Sequence, residues 1–157
     1  MYNKEKIDNI KKIISIFTKH LEKDEYAIFG SAPIYIRDIK ELKDIDVIVN
    51  EKGWKKLTQK FESKDTKSGF GNVIIMDNNG IEIEIFNMWG PGKWNIDELI
   101  ESSDKFEGIN FVTLENVLKW KKEMDREKDQ EDIRKIEINK ERKWNTKMNE
   151  KFVESNI

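Results

Sequence analysis

At 157 residues the chain has room for one domain with a substantial core. Charged residues make up 38% of it, yet they nearly cancel to a net charge of −2, so no global polyanion-binding surface is advertised. The absence of cysteine excludes disulfides and thiolate metal sites, and no apolar run approaches the roughly 20 residues of a membrane span or forms a signal-peptide core, so a cytoplasmic protein without membrane attachment is expected.

Ile7, Ile10, Ile14, Phe17 and Leu21 fall on one stripe of residues 4–21, which predicts an amphipathic helix with its lysines outward. His20, the single histidine, sits near the end of that helix; alone it cannot make a histidine zinc site, and it is assigned no chemistry. A short apolar strand over residues 26–29 then ends in Gly30-Ser31. After a brief connection a second strand opens with Asp44 and Asp46 and continues as Val47-Ile48-Val49. Asn50 caps a predicted helix running to about residue 63, with Trp54, Leu57 and Phe61 inward, and residues 63–71 read as a polar loop.

Residues 72–77 and 81–87 predict a hairpin through Asn78-Asn79-Gly80, its second strand alternating perfectly as Ile81-Glu82-Ile83-Glu84-Ile85-Phe86. The glycines and proline of Met88-Trp89-Gly90-Pro91-Gly92-Lys93-Trp94 forbid regular structure. Its two tryptophans either roof the core, the commoner role for tryptophan, or offer a stacking platform for a base. Asn95 caps a short helix, residues 105–112 read as one final short strand, and Thr113 caps a helix to about residue 125. A last helix covers residues 129–138, where Asp129 and Asp132 suit the helix N-terminus or ion pairing better than metal ligation. Residues 1–138 are thus expected to form one domain, followed by a charged tail over 139–157 that either extends a helix or frays. The fold class is α/β (α+β): a small mixed sheet with helices on one face, the other left for substrate, and a C-terminal helical segment.

Chemistry concentrates at the second strand. Asp44 and Asp46 point the same way, about 7 Å apart along an extended chain, and two carboxylates so placed repel one another unless a cation lies between them. Oxygen donors of this kind suit Mg²⁺ or Mn²⁺. On that pair alone, acids on a solvent-facing strand are the simpler account. A Gly-Ser turn can cradle phosphate as well as serve as a plain strand-to-helix turn. A glutamate of the later strand can complete a three-carboxylate site if the two strands are neighbours; Glu84 is the candidate, and Glu82 reads as an ordinary amphipathic position.

Gly30-Ser31, Asp44-Ile45-Asp46 and the later strand carboxylate together resemble the signature of the DNA polymerase β-like nucleotidyltransferase superfamily, within it the small stand-alone, abortive-infection toxin-like enzymes. A second match runs from Thr113 through Lys121 to Arg126-Glu127-Lys128-Asp129 and Asp132. The chain departs from the pattern where Lys40-Glu41-Leu42-Lys43 replaces an Arg-x-Thr-Lys run and where the turn has only one glycine. The resemblance implies Asp44, Asp46 and Glu84 as catalytic metal ligands for Mg²⁺ or Mn²⁺, and Gly30, Ser31 and Lys121 as nucleotide-binding residues. It also implies an NTP substrate, transfer of a nucleoside monophosphate to a hydroxyl of RNA, protein or a small molecule with release of pyrophosphate, and, for toxin members, an antitoxin partner. Two other readings stay open: a catalytically degenerate member that binds nucleotide or a partner, and a nucleic-acid- or protein-binding module using its lysine-rich helices.

Overall fold

The computed structural model describes residues 1–90 and 93–155. They divide into two compact units, Met1–Val117 and Leu118–Ile157. The first is built on strands β1 (Tyr26–Phe29), β2 (Asp44–Val49), β3 (Lys64–Asp65), β4 (Asn72–Asn78), β5 (Ile81–Phe86), β6 (Asp104–Phe106) and β7 (Ile109–Phe111). Helices α1 (Lys4–Thr18), α2 (Ala32–Tyr35), α3 (Glu51–Thr58) and α4 (Ile96–Glu101) connect or precede them, and α5 (Leu114–Met124) follows. The strands form one sheet in the order β3-β4-β5-β2-β1-β7-β6. Because β2 runs antiparallel to β1 but parallel to β5, and β1 runs parallel to β7, the sheet is mixed and the fold α/β.

The two faces differ because strand side chains alternate. Ile28, Val47, Ile85 and Ile74 are successive cross-strand partners, so they share a face, and Ile45 and Ile83 share it one step along. All six are buried in one cluster with Ile7, Ile10, Ile14 and Phe17 of α1 and Leu57 of α3. The α1 stripe is therefore the core-facing stripe anticipated from its spacing. Helix starts also follow local chemistry: the side chains of Asn3, Asn50 and Asn95 accept from the N–H groups of Lys6, Gly53 and Glu98, and Thr113 accepts from Asn116.

Three expectations need correction. Helix α3 stops at Thr58, five residues before the expected end; the Thr58 hydroxyl donates back to the carbonyls of Trp54 and Lys55, and the N–H groups of Lys60 and Phe61 both close on Leu57. The loop that follows contains a short edge strand, β3, paired with β4 through Lys64↔Val73 and Asp65↔Asn72. The single strand expected over residues 105–112 is a hairpin, β6–β7, because Glu107 and Gly108 both adopt positive φ (52° and 79°) and reverse the chain. The Asn79-Gly80 turn forms where expected, with φ of 54° and 87°.

In the second unit, α6 (Glu127–Ser155) runs without a break through Ile138 and along the charged tail. Its start is held ionically. The Lys121 ammonium lies 2.9 Å from Asp132 and 3.6 Å from Asp129, and Arg126 grips Asp129 through Nε and Nη2 at 2.6 and 3.1 Å. Burial alone would raise the Asp129 carboxyl; the Arg126 hydrogen bonds and charge, with Lys121, outweigh it and hold the group below the ordinary carboxylate range. Among the described residues no helix is long and apolar enough to cross a membrane.

Replacing Ile28, fully buried on a central strand, with alanine is expected to cost about 2–5 kcal/mol of stability. The check is a lower urea midpoint at unchanged m-value.

Candidate active site

The face of the sheet opposite α1 carries the acids. Parallel pairing of β2 with β5 sets Asp44 opposite Glu82 and Asp46 opposite Glu84. Cross-strand partners share a face, so the four carboxylates form a two-by-two array, with neighbours about 5 Å apart across strands and about 7 Å along them. Phe29 of β1 flanks Asp46 on one side, and Ile75 of β4 flanks Glu84 on the other. The structure thus brings Asp44, Asp46 and Glu84 together, and adds Glu82, which the sequence pattern had set aside as an ordinary amphipathic position. The signal that would have found it is the common period of the two acid pairs, Asp44/Asp46 and Glu82/Glu84. With parallel neighbouring strands in this register, either both glutamates join the patch or neither does.

Electrostatics bear out the crowding. The Glu84 carboxyl is pushed above the ordinary glutamate range, first by partial burial, then by the charge of Glu82 and a shared hydrogen bond with it, and then by Asp44; Lys67 opposes the shift. Crowding of this kind is what a bound cation relieves.

The turn after β1 is shaped around the same array. Gly30 has φ +68°, and a Cβ there would lie 2.3 Å from Asp46 Oδ2. Only glycine both tolerates that backbone and lets the Asp46 carboxylate lie against the turn. Ser31 is buried, and its hydroxyl donates to the Asp44 carbonyl at 3.4 Å instead of capping α2. Gly30 and Ser31 are therefore fastened to the two ends of the Asp-x-Asp motif. Lys121 lies in the second unit, 4% exposed, in its pair with Asp132.

The tryptophan question resolves toward packing. Trp89 is buried and stacks on Phe29 with ring centroids 4.3 Å apart, meets Phe86 edge-on at 5.4 Å, and Trp94 meets Phe29 edge-on at 6.1 Å. These rings cover the acid-bearing face beyond the carboxylates, so that face is open only in part. Pro91 and Gly92, between the tryptophans, lie outside the described residues.

The donor set is all oxygen on two adjacent, paired strands, which suits Mg²⁺ or Mn²⁺ and disfavours softer metals. Among the described residues no three acid or histidine side chains are already closed into a metal-holding cluster. The fit is one of donor type and placement.

No protein-family model and no curated protein matches this sequence. Among solved structures, the chain is similar to one described as a "putative nucleotidyltransferase" from Thermotoga maritima, with 19% identity, a TM-score of 0.49, and coverage of 88% of this chain and 96% of that one.

The raised Glu84 carboxyl gives a signed expectation. A carboxyl whose folded-state affinity for protons exceeds its unfolded one contributes stability at low pH that is lost as pH rises through its folded value. Glu84→Gln should therefore melt above wild type at pH 7 without divalent metal, and the gain should vanish below the ordinary glutamate range, where both forms are neutral. Thermal melts from about pH 3.5 to about pH 8 check it; an E84Q melt at or below wild type at pH 7 counts against the crowding.

Proposed function

We propose that this protein is a metal-dependent nucleotidyltransferase. The observation that carries the reading is the in-register carboxylate array of Asp44, Asp46 and Glu84 beside the Gly30-Ser31 turn, a set of oxygen donors concentrated on one face next to a backbone left bare of side chains. Mg²⁺ or Mn²⁺ held there would neutralise charge at the α-phosphate and make the acceptor hydroxyl more acidic. Asp44 and Asp46, on one rigid strand, orient the donor side; Glu84, across the strand pair, faces the acceptor. The backbone amides of Gly30 and Ser31 would hold the β- and γ-phosphates, and the Ser31 hydroxyl would join them only by giving up its bond to the Asp44 carbonyl.

The transfer balances simply. The acceptor oxygen forms a bond to the α-phosphorus, the bond from that phosphorus to the bridging oxygen breaks, pyrophosphate leaves with the electron pair, and the hydroxyl proton passes to water. The residues act by position and charge, as in other phosphoryl transfers. The triphosphate role that the resemblance implies for Lys121 has a condition attached. Its ammonium is already paired with Asp132 in a buried setting, and stripping one partner from such a pair costs about 3–5 kcal/mol. A nucleotide has to replace that interaction.

The paired Lys121, with Leu42 in place of a hydroxyl-bearing residue, is the observation that favours the second reading, a degenerate member that binds nucleotide without turnover.

Incubation with each α-³²P-labelled NTP, Mg²⁺ and a cell lysate is expected to transfer label. Asp46→Asn should cut the rate by at least ~10³-fold, equivalent to about 4 kcal/mol of transition-state stabilisation, while melting cooperatively; EDTA should abolish labelling and Mn²⁺ restore it. Calorimetric NTP binding without pyrophosphate release selects the degenerate reading, and full activity of D46N overturns the site.

A further inference from the structure

We propose that the β3–β4 edge of the sheet is the acceptor side of this site, and that it takes a single-stranded nucleic acid: Lys64 and Lys67 on its phosphodiesters and Phe70 under a base, its terminal hydroxyl directed at Glu84. This rests on the transferase reading and supplies the acceptor class that the reading leaves open.

Register places these residues. Lys64 is the partner of Val73, Val73 of Phe86, and Phe86 of Ile48. Partners share a face, so Lys64 stands on the acid-bearing face at the sheet edge, one pleat repeat from the row Ile75–Glu84–Asp46–Phe29. The β3–β4 loop lies beyond the C-terminal end of β5, whereas the Gly30 turn lies at the opposite end of the array. Donor phosphates at Gly30-Ser31 and an acceptor strand at the loop would therefore come to the carboxylates from opposite sides, as an in-line displacement requires, with the acceptor passing along the exposed Ile75 and not over the ring-covered Phe86.

The loop is built to present its side chains. The Thr66 hydroxyl donates to the Phe70 carbonyl at 2.8 Å and lies 3.1 Å from the Ser68 hydroxyl, and Thr66 N–H closes on Gly71 at 3.3 Å. The loop is also tied to the strand below it: Asn72 N–H donates to Asn87 Oδ1 at 2.8 Å, and Gly71 packs so close to Asn87 and Met88 that a Cβ would collide with both. With its backbone so held, the Phe70 ring is still 42% exposed; Met88, close to the neighbouring Gly71, and Ile75, opposite Glu84 on β4, are 41% and 40% exposed. Among the described residues neither Lys64 nor Lys67 is in an ion pair, and the charge of Lys67 is felt at Glu84. An acid, Asp65, lies between them, but its carboxylate accepts from the Asn72 amide.

Cations flanking an exposed ring on an ordered loop match the two needs of a single strand, backbone charge and a base to stack. The exposed Phe70 ring is what favours a nucleic acid over an acidic polypeptide, which would use the lysines alone, and an open edge strand does not enclose a small molecule.

The test is fluorescence anisotropy of the full chain with a labelled single-stranded RNA of about ten nucleotides, alongside label transfer from α-³²P NTPs. Phe70→Ala should weaken binding roughly 5-fold or more, the low end for loss of one stacked base, with Phe70→Tyr restoring it. The K64A/K67A pair should weaken binding similarly and flatten its salt dependence, with K64R/K67R restoring it; all melt like wild type, since these side chains are exposed. Unchanged RNA binding in F70A and K64A/K67A, or label found only on protein or small molecules, overturns the proposal while the carboxylate site stands. RNA binding that needs Phe70 and the lysines, without any label transfer, leaves a nucleic-acid-binding edge but overturns its role as an acceptor side together with the transferase reading.

Discussion

The parallel register of β2 against β5 is the constraint on which the rest depends. It aligns two strands of the same alternation, Asp-Ile-Asp-Val and Glu-Ile-Glu-Ile, so that Ile45, Val47, Ile83 and Ile85 go to the α1 face while Asp44, Asp46, Glu82 and Glu84 go to the other. Because the side-chain period is two, a slip of one residue would drive two carboxylates toward the α1 core and expose the isoleucines that hold it. Core and site are thus opposite faces of one pairing, and the burial that stabilises the apolar face holds the acids together against their mutual repulsion.

The neighbouring strand β1 sharpens this arrangement. Its antiparallel pairing brings Phe29 beside Asp46 and delivers the chain into Gly30 at the point where the Asp46 carboxylate needs space. Ser31 then bonds to the Asp44 backbone. A residue chosen for backbone freedom, a hydroxyl and two acids make one local unit. Phe29 also serves the aromatic cluster with Trp89, Phe86 and Trp94, which closes part of the acid-bearing face with rings. What stays accessible is a carboxylate array bordered by rings on one flank and by the exposed Ile75 edge on the other.

Charge is used differently in the second unit. Lys121, Asp129 and Asp132 are withdrawn from water and bonded to one another and to the partly exposed Arg126, so each of the three would be costly to release. In the carboxylate array like charges are gathered side by side on two paired strands, which is unfavourable for folding and is relieved by a bound cation. Two sets of charged residues in one chain therefore have opposite physics: one pairs opposite charges, the other crowds like ones.

Read alone, the residues determined the helices, their asparagine and threonine caps, the Asn79-Gly80 hairpin and the alternation that sorts isoleucine from acid, because each depends on neighbours within a few positions. Local pattern also marked Asp44, Asp46 and Glu84 as one chemistry. Glu82 carries the same alternation as Glu84, so the pattern contained it; which acids each glutamate stands beside was decided by the pairing of β2 with β5. Local pattern could not foresee the Glu107-Gly108 reversal, because the apolar and polar residues on both sides also fit one continuous strand. Tertiary structure alone decided that the tryptophans pack on Phe29, that the Lys121 ammonium is already claimed by Asp132, and that Lys64 joins the sheet edge on the acid-bearing face. The first and last are meetings of separate segments set by how the sheet is paired and its faces filled; the Lys121 pair is set by how two successive helices meet.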